Sequence, residues 1–194
     1  MANYARQNAF KEALRGMKDK LFAYGDRRGI TGDTYSRNLT QEEKDDFRCS
    51  EVYDRVQARK IFEKLLGCQF RDRNLEDRLD ADFYSGDTWN PLEVKARHYD
   101  VNDYSYNWEW VVDPEKWNVM KAEGAWLLYL FPSSANPLDC EWALWNTNVV
   151  EPVDYEMKCD KSYAIKNSGL KLKKDKGWYL KDAMYRGTIT AGDN

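Results

Sequence analysis

Histidine is nearly missing from this chain: one residue, His98, in 194. A Ser-His-Asp triad would have to be built on it. A zinc finger of two cysteines and two histidines is excluded, as is a nuclease centre assembled from several histidines. Cysteine is scarce too. Cys49, Cys68, Cys140 and Cys159 include no C-x-x-C pair, and with no mark of secretion they read as free thiols. No window approaches the ~18 consecutive apolar residues of a membrane span. The opening MANYARQNAFKEALRG is amphipathic and charged and lacks the apolar core of a signal peptide, so the expected location is the cytoplasm. Hydrolytic chemistry in such a chain has to rest on carboxylates, lysine and a bound ion.

Apolar residues are plentiful, at 42% of the chain, which is enough for a real core. Eight Trp and thirteen Tyr should line a surface as well as that core. The length fits one domain with appendages. The net charge of −3 conceals an asymmetry. From Lys161 to Arg186 eight basic residues face only Asp175 and Asp182, a local charge of +6 that leaves −9 for the remainder. A basic strip on an acidic protein suggests a local anionic partner.

Residues 4 to 24 read as one helix, with Phe10, Ala13, Leu14, Met17 and Leu21 on a single stripe and Gly25 as its stop. A Gly-rich polar loop follows at 25 to 38. Thr40-Gln41-Glu42-Glu43 is a capping box that opens a short helix. Ser50 then caps a second, stronger helix whose buried face is Val52, Val56, Ile61, Phe62, Leu65 and Leu66, with Gly67 at its end. Strands are expected over Cys68 to Arg73, Leu79 to Tyr84 and Leu92 to Arg97, with a turn at Ser85-Gly86-Asp87. Asp113-Pro114 marks a helix start, and Gly124 a stop. Ala125 to Phe131 (AWLLYLF) is apolar throughout, as a buried central strand would be, and Glu141 to Val150 is another strand. The order helix, three strands, helix, two strands predicts an α/β layered sheet with hairpins in its first half.

Chemistry concentrates in LDADFYSGDTWNPLEVKAR, residues 79 to 97. Residues two apart on a strand face the same way, so Glu93 and Lys95 project together. Asp82 lies on the preceding strand, and facing residues on neighbouring strands sit roughly 4.5 to 5.5 Å apart. Asp82 and Glu93 are thus candidates to hold one Mg²⁺ or Mn²⁺ ion, with the Val94 carbonyl as a third oxygen. Lys95 is placed to orient a bound water or stabilise developing negative charge. An acidic-x-Lys triplet alone is weak, since Glu42-x-Lys44 and Glu156-x-Lys158 repeat it. Only the middle triplet has a strand-turn-strand setting. The structural alternative is a cross-strand salt-bridge cluster on a wet face.

Asp82, ten residues, then Glu93-Val94-Lys95 resembles the signature of the PD-(D/E)xK nuclease superfamily, the restriction-endonuclease-like fold. The element order over roughly residues 50 to 150 is similar to that family's core. The resemblance implies a restriction-endonuclease-like mixed sheet flanked by helices and a divalent-metal-dependent DNA endonuclease. Asp82, Glu93 and Lys95 would be its catalytic set. It also implies a glutamate on the first core helix near the metal, and Glu51 is similar in placement. The join KLLGCQF resembles that of archaeal-type Holliday junction resolvases within the superfamily. Ala81 stands where the family name has proline, and Asp80 is an alternative ligand to Asp82. Members that cut both strands work as homodimers, which is the expectation here, with no organic cofactor and no membrane. Family habit and size suit a virus-encoded or mobile-element protein acting in the host cytoplasm.

The divisions that follow are an N-terminal helical extension (1–48), a nuclease-like core (49–160) and a basic C-terminal segment (161–194). Arg97, Lys171, Lys173, Lys174 and Lys176, with Trp178 beside them, are the candidate nucleic-acid contacts. An edge-protecting, solvated hairpin is the alternative for the lysines. The run from Tyr99 to Trp110 interleaves Tyr and Trp with acids, which suits base stacking or a protein-protein surface. The rival functions are a non-catalytic interaction or assembly protein that keeps the nuclease fold, and an RNA-directed nuclease. For a nuclease, Lys95 should lie with the acids. For an interaction protein it should turn away from them.

Overall fold

The computed structural model describes residues 2–30, 39–72, 83–85, 90–96, 111–112, 114–133, 135–151, 153–156, 176–179 and 185–193. Three helices open the chain: α1 (Ala2–Gly16), α2 (Lys18–Arg28) and α3 (Gln41–Lys60). A π-helical turn, Ile61–Leu65, extends α3. Strands β1 (Phe70–Asp72), β2 (Phe83–Ser85) and β3 (Asn90–Ala96) follow, then β4 (Val111–Val112) and α4 (Pro114–Ala122). The chain continues through β5 (Trp126–Pro132), β6 (Cys140–Asn146), β7 (Val153–Glu156), β8 (Lys176–Tyr179) and β9 (Tyr185–Ile189).

The main sheet has six strands in the order β1-β2-β3-β5-β6-β9. Its first three form an antiparallel meander, β3 runs parallel to β5, and β5, β6 and β9 are antiparallel. A second sheet has the order β4-β8-β7. The fold is therefore α/β with a mixed sheet, and the expected hairpins do lie in the first half. No helix among the described residues is long and apolar enough to cross a membrane.

Strand alternation divides the interior into two faces. On one, Leu92 and Val94 of β3, Leu128 and Leu130 of β5 and Trp142 and Leu144 of β6 pack with Val52, Tyr53, Ile61 and Phe62, and with Phe10, Leu14 and Leu21 of α1 and α2. On the other, Leu127, Tyr129 and Phe131 of β5 and Ala143 and Trp145 of β6 pack with Trp117 and Met120 of α4. Each fully buried large side chain stabilises by roughly 1.5–3 kcal/mol. β5 is covered on both faces, which is why AWLLYLF is apolar throughout.

The capping box is present as expected. Thr40 Oγ1 accepts from the Glu43 amide, and the Glu43 carboxylate accepts from the Thr40 amide at 2.8 Å. Gly67 and Gly124 both adopt φ +66°, the left-handed conformation that closes the helical segments before them. Proline stands at the first position of α4 as expected. Asp113, its expected cap, lies outside the described residues.

Several boundaries differ from the sequence reading. The N-terminal helix is two helices that part at Met17, just after Gly16. Gly25 does not stop a helix. It lies buried within α2, where a Cβ would come within 3.0 Å of the Val52 side chain, so its role is close approach to α3. Gly29, at φ +70°, ends α2 instead. Ser50 caps nothing, because α3 is continuous and Ser50 Oγ donates to the Asp46 carbonyl one turn back. Leu65 is exposed, since the π-helical turn rotates it off the apolar stripe. Strand Cys68–Arg73 is shorter, Phe70–Asp72, and Glu141–Val150 ends at Asn146 in a turn. Residues 79 to 82 of the expected Leu79–Tyr84 strand lie outside the described residues, and β2 comprises Phe83–Ser85.

Candidate functional site

β3 is one of the two central strands of the six-stranded sheet: its middle is buried, yet it carries an acid. Glu93 is 2% exposed. Alternation places it on the α4 side, since Leu92 and Val94 belong to the α3-side core. Its register partner on β5 is Leu127, and that of Lys95 is Tyr129. A carboxylate desolvated in this way stays ionised only against compensating charge.

Two lysines supply it. Lys95 Nζ lies 2.6 Å from Glu93 Oε1, as the i, i+2 spacing on a strand permits. Lys116 Nζ, from the first turns of α4, lies 3.0 Å from Glu93 Oε2. The two differ in setting: the Lys95 side chain is 39% exposed and that of Lys116 only 9%. One buried carboxylate is thus met by two ammonium groups.

Of the expected site residues, the structure brings Glu93 and Lys95 together. Val94 directs its side chain into the α3-side core, as the middle residue of the triplet must. Glu51 goes elsewhere. It sits on α3, against the opposite face of the sheet, and its Oε1 accepts from Arg55 at 3.0 Å. Asp80, Asp82, Arg97, Lys171, Lys173 and Lys174 lie outside the described residues. Lys176 and Trp178 fall on β8, paired with Glu156 and Asp154 of β7. Cys49, Cys68 and Cys140 are free thiols, as expected, and Cys159 is outside the described residues.

The register of the β2–β3 hairpin is set by its described residues. Phe83, the residue after Asp82, pairs with Leu92, the residue before Glu93. A divalent ion needs hard oxygen donors. Glu93 is a donor of that type, and the Lys95 side chain on its Oε1 is 39% exposed. Among the described residues no group of three or more His, Cys, Asp or Glu side chains is gathered that could hold an ion.

Sequence reasoning missed Lys116, although a signal was present. Lys116, Trp117 and Met120 fall within ~100° of one another on a helical wheel, and the latter two are the buried face of α4. A lysine on an apolar stripe needs an anion opposite it.

The chain matches no family model, and no curated protein or solved structure shows significant similarity to it.

Proposed function

We propose that this chain is a divalent-metal-dependent DNA endonuclease of the PD-(D/E)xK type. The observation that carries the reading is the Glu93–Lys95 pair, 2.6 Å apart on the strand that follows a hairpin. The register of that hairpin, Phe83 against Leu92, supports Asp82 as the second acid. Asp82, Glu93 and the Val94 carbonyl would hold Mg²⁺ or Mn²⁺. When bound, such an ion supplies Lewis acidity and lowers the pKa of a coordinated water.

The chain's own groups do the rest. Lys95 leaves Glu93 Oε1 and donates to the attacking water and to a non-bridging phosphate oxygen, offsetting charge as the phosphorus–oxygen bond forms. The attacking water loses its proton to solvent, the bond to the leaving oxygen breaks, and that oxygen takes up a proton from solvent water. Leu127 of the neighbouring β5 stands beside the buried Glu93, an apolar setting that strengthens its charge interactions. Two copies acting together would cut both strands.

The test is cleavage of supercoiled, linear, single-stranded and four-way-junction DNA, and of RNA, with Mg²⁺, Mn²⁺ or EDTA. Metal-dependent cutting of DNA is expected. Cutting of RNA alone would reassign the substrate, and no cutting of any substrate would favour the ion pair as a structural brace.

A further inference from the structure

We infer that Tyr185, backed by Trp126, is a stacking platform for an unpaired base of single-stranded DNA. The inference rests on the nucleic-acid partner of the reading above and on none of the groups around Glu93. Strand alternation sets Tyr185, Gly187 and Ile189 on the α3 side of β9. Ile189 is buried there, and Gly187 lies against the Trp142 indole. Tyr185 shares that side yet is 48% exposed. Its ring centroid lies 6.3 Å from that of Trp126, with the planes inclined at 38°. Trp126 is half-buried and packs on the α3-side core. A lone exposed tyrosine is ordinary on a protein surface. This one is held beside a second ring rooted in the core, so a base settling on it costs little further side-chain entropy.

Charge names the occupant. Tyr185 and Arg186 close the stretch from Lys161 to Arg186, whose eight basic and two acidic residues carry +6 in a chain of net charge −3. Arg186 is exposed. An aromatic face in a basic stretch of chain suits bases strung on a phosphate backbone, whereas a neutral or acidic apolar segment would suit the rings alone. Stacking takes a base that is out of its pair, so a single strand is preferred to a duplex. β9 lies three strands from β3, roughly 14 Å across the sheet, and Tyr185 is on the face opposite Glu93. The platform grips the strand away from Glu93.

The experiment is fluorescence anisotropy in EDTA, so that binding is read without cutting. The labelled ligands are oligothymidylate, a duplex of the same length and an abasic strand with the same backbone. The protein is wild type, Tyr185→Phe, Tyr185→Leu and, as a control at an exposed position of β9, Thr188→Ala. Tyr185→Leu should bind oligothymidylate about 5–100-fold more weakly, the worth of one stacked base. Tyr185→Phe keeps the π-face, so it and Thr188→Ala should stay within about twofold of wild type. The abasic strand should bind wild type and Tyr185→Leu alike. Leucine preserves the apolar cover beside Trp126, so the melting temperature should hold.

Oligothymidylate binding that is absent in wild type, or equal in wild type and Tyr185→Leu, would overturn the inference. So would an equal loss on all three ligands, the mark of altered charge or folding. Tighter binding of oligouridylate than of oligothymidylate by wild type would overturn the choice of DNA. The nuclease reading is judged apart, by cleavage in Mg²⁺. Cutting by a protein whose binding ignores Tyr185 keeps the nuclease and removes the platform. Binding that depends on Tyr185 in a protein that never cuts does the reverse.

Discussion

Tyr53 of α3 donates its hydroxyl to the Pro137 carbonyl at 2.5 Å, across 84 residues of sequence. Gln57, one turn further along, donates to the same oxygen at 3.3 Å. Both side chains are buried, and together they clamp the β5–β6 connection to the long helix. Tyr53→Phe keeps the ring and its edge contact with Phe10 but removes the stronger donor. The expected loss is about 1–3 kcal/mol, the cost of leaving a buried acceptor short of a partner. Chemical denaturation measures it, and an unchanged midpoint would mean the clamp carries no stability.

Gly187 of β9 lies against Trp142 of β6. A Cβ at that position would come within 2.7 Å of the indole ring. Trp142 is 5% exposed and part of the α3-side core, so it has little room to retreat. Gly187→Ala should destabilise by about 1–3 kcal/mol through overpacking. Gly192→Ala is the control, because its nearest contact would be an ordinary 3.7 Å. Melting of the two variants side by side decides the matter.

Acid should loosen α1 and α2 from α3. Hydrogen bonding from Arg15 lowers the Asp46 carboxyl below its ordinary value, and hydrogen bonding from Lys18 does the same for Asp45. A lowered folded pKa means the unfolded chain binds protons first. The stabilisation is therefore complete above the ordinary aspartate value near ~3.9 and drains away as pH falls from there through the lowered folded values. Asp46→Asn should flatten that part of a melting-temperature profile recorded down to low pH. A profile identical to wild type would show the pairs to be screened.

Thiol reactivity should follow burial. Burial pushes the Cys140 thiol up to about 12 and raises that of Cys49 as well. Cys68 is half-buried. Alkylation at pH ~8 should label Cys68 ahead of the other two, since the thiolate is the reactive form. Mass spectrometry of timed digests reads the order directly, and early labelling of Cys140 would contradict the packing around Tyr53.

What was legible in the sequence was local or strongly periodic. The Thr40–Glu43 box involves four consecutive residues, and Gly67 and Gly124 act through their own backbone. AWLLYLF announced a two-sided burial that the sheet supplies. What was not legible depended on partners distant in sequence. Gly25 looks like a stop until Val52 is seen against it. Ser50 looks like a cap because its alternative, a bond to its own helix, leaves no mark in composition. The pairing of Glu93 with Lys95 follows from strand alternation, so it could be expected. Lys116 could not be paired with Glu93 before β3 and α4 were known to share a face.

The most direct test of the central claim is plasmid cleavage by wild type, Glu93→Ala and Lys95→Ala, in Mg²⁺ and in EDTA, with DNA binding followed in parallel. The account predicts Mg²⁺-dependent cutting by wild type and a loss of at least about 10²-fold in each variant, with DNA binding retained. No cutting by wild type, and binding indifferent to both substitutions, would contradict it and leave Glu93 and Lys116 as a buried brace between β3 and α4.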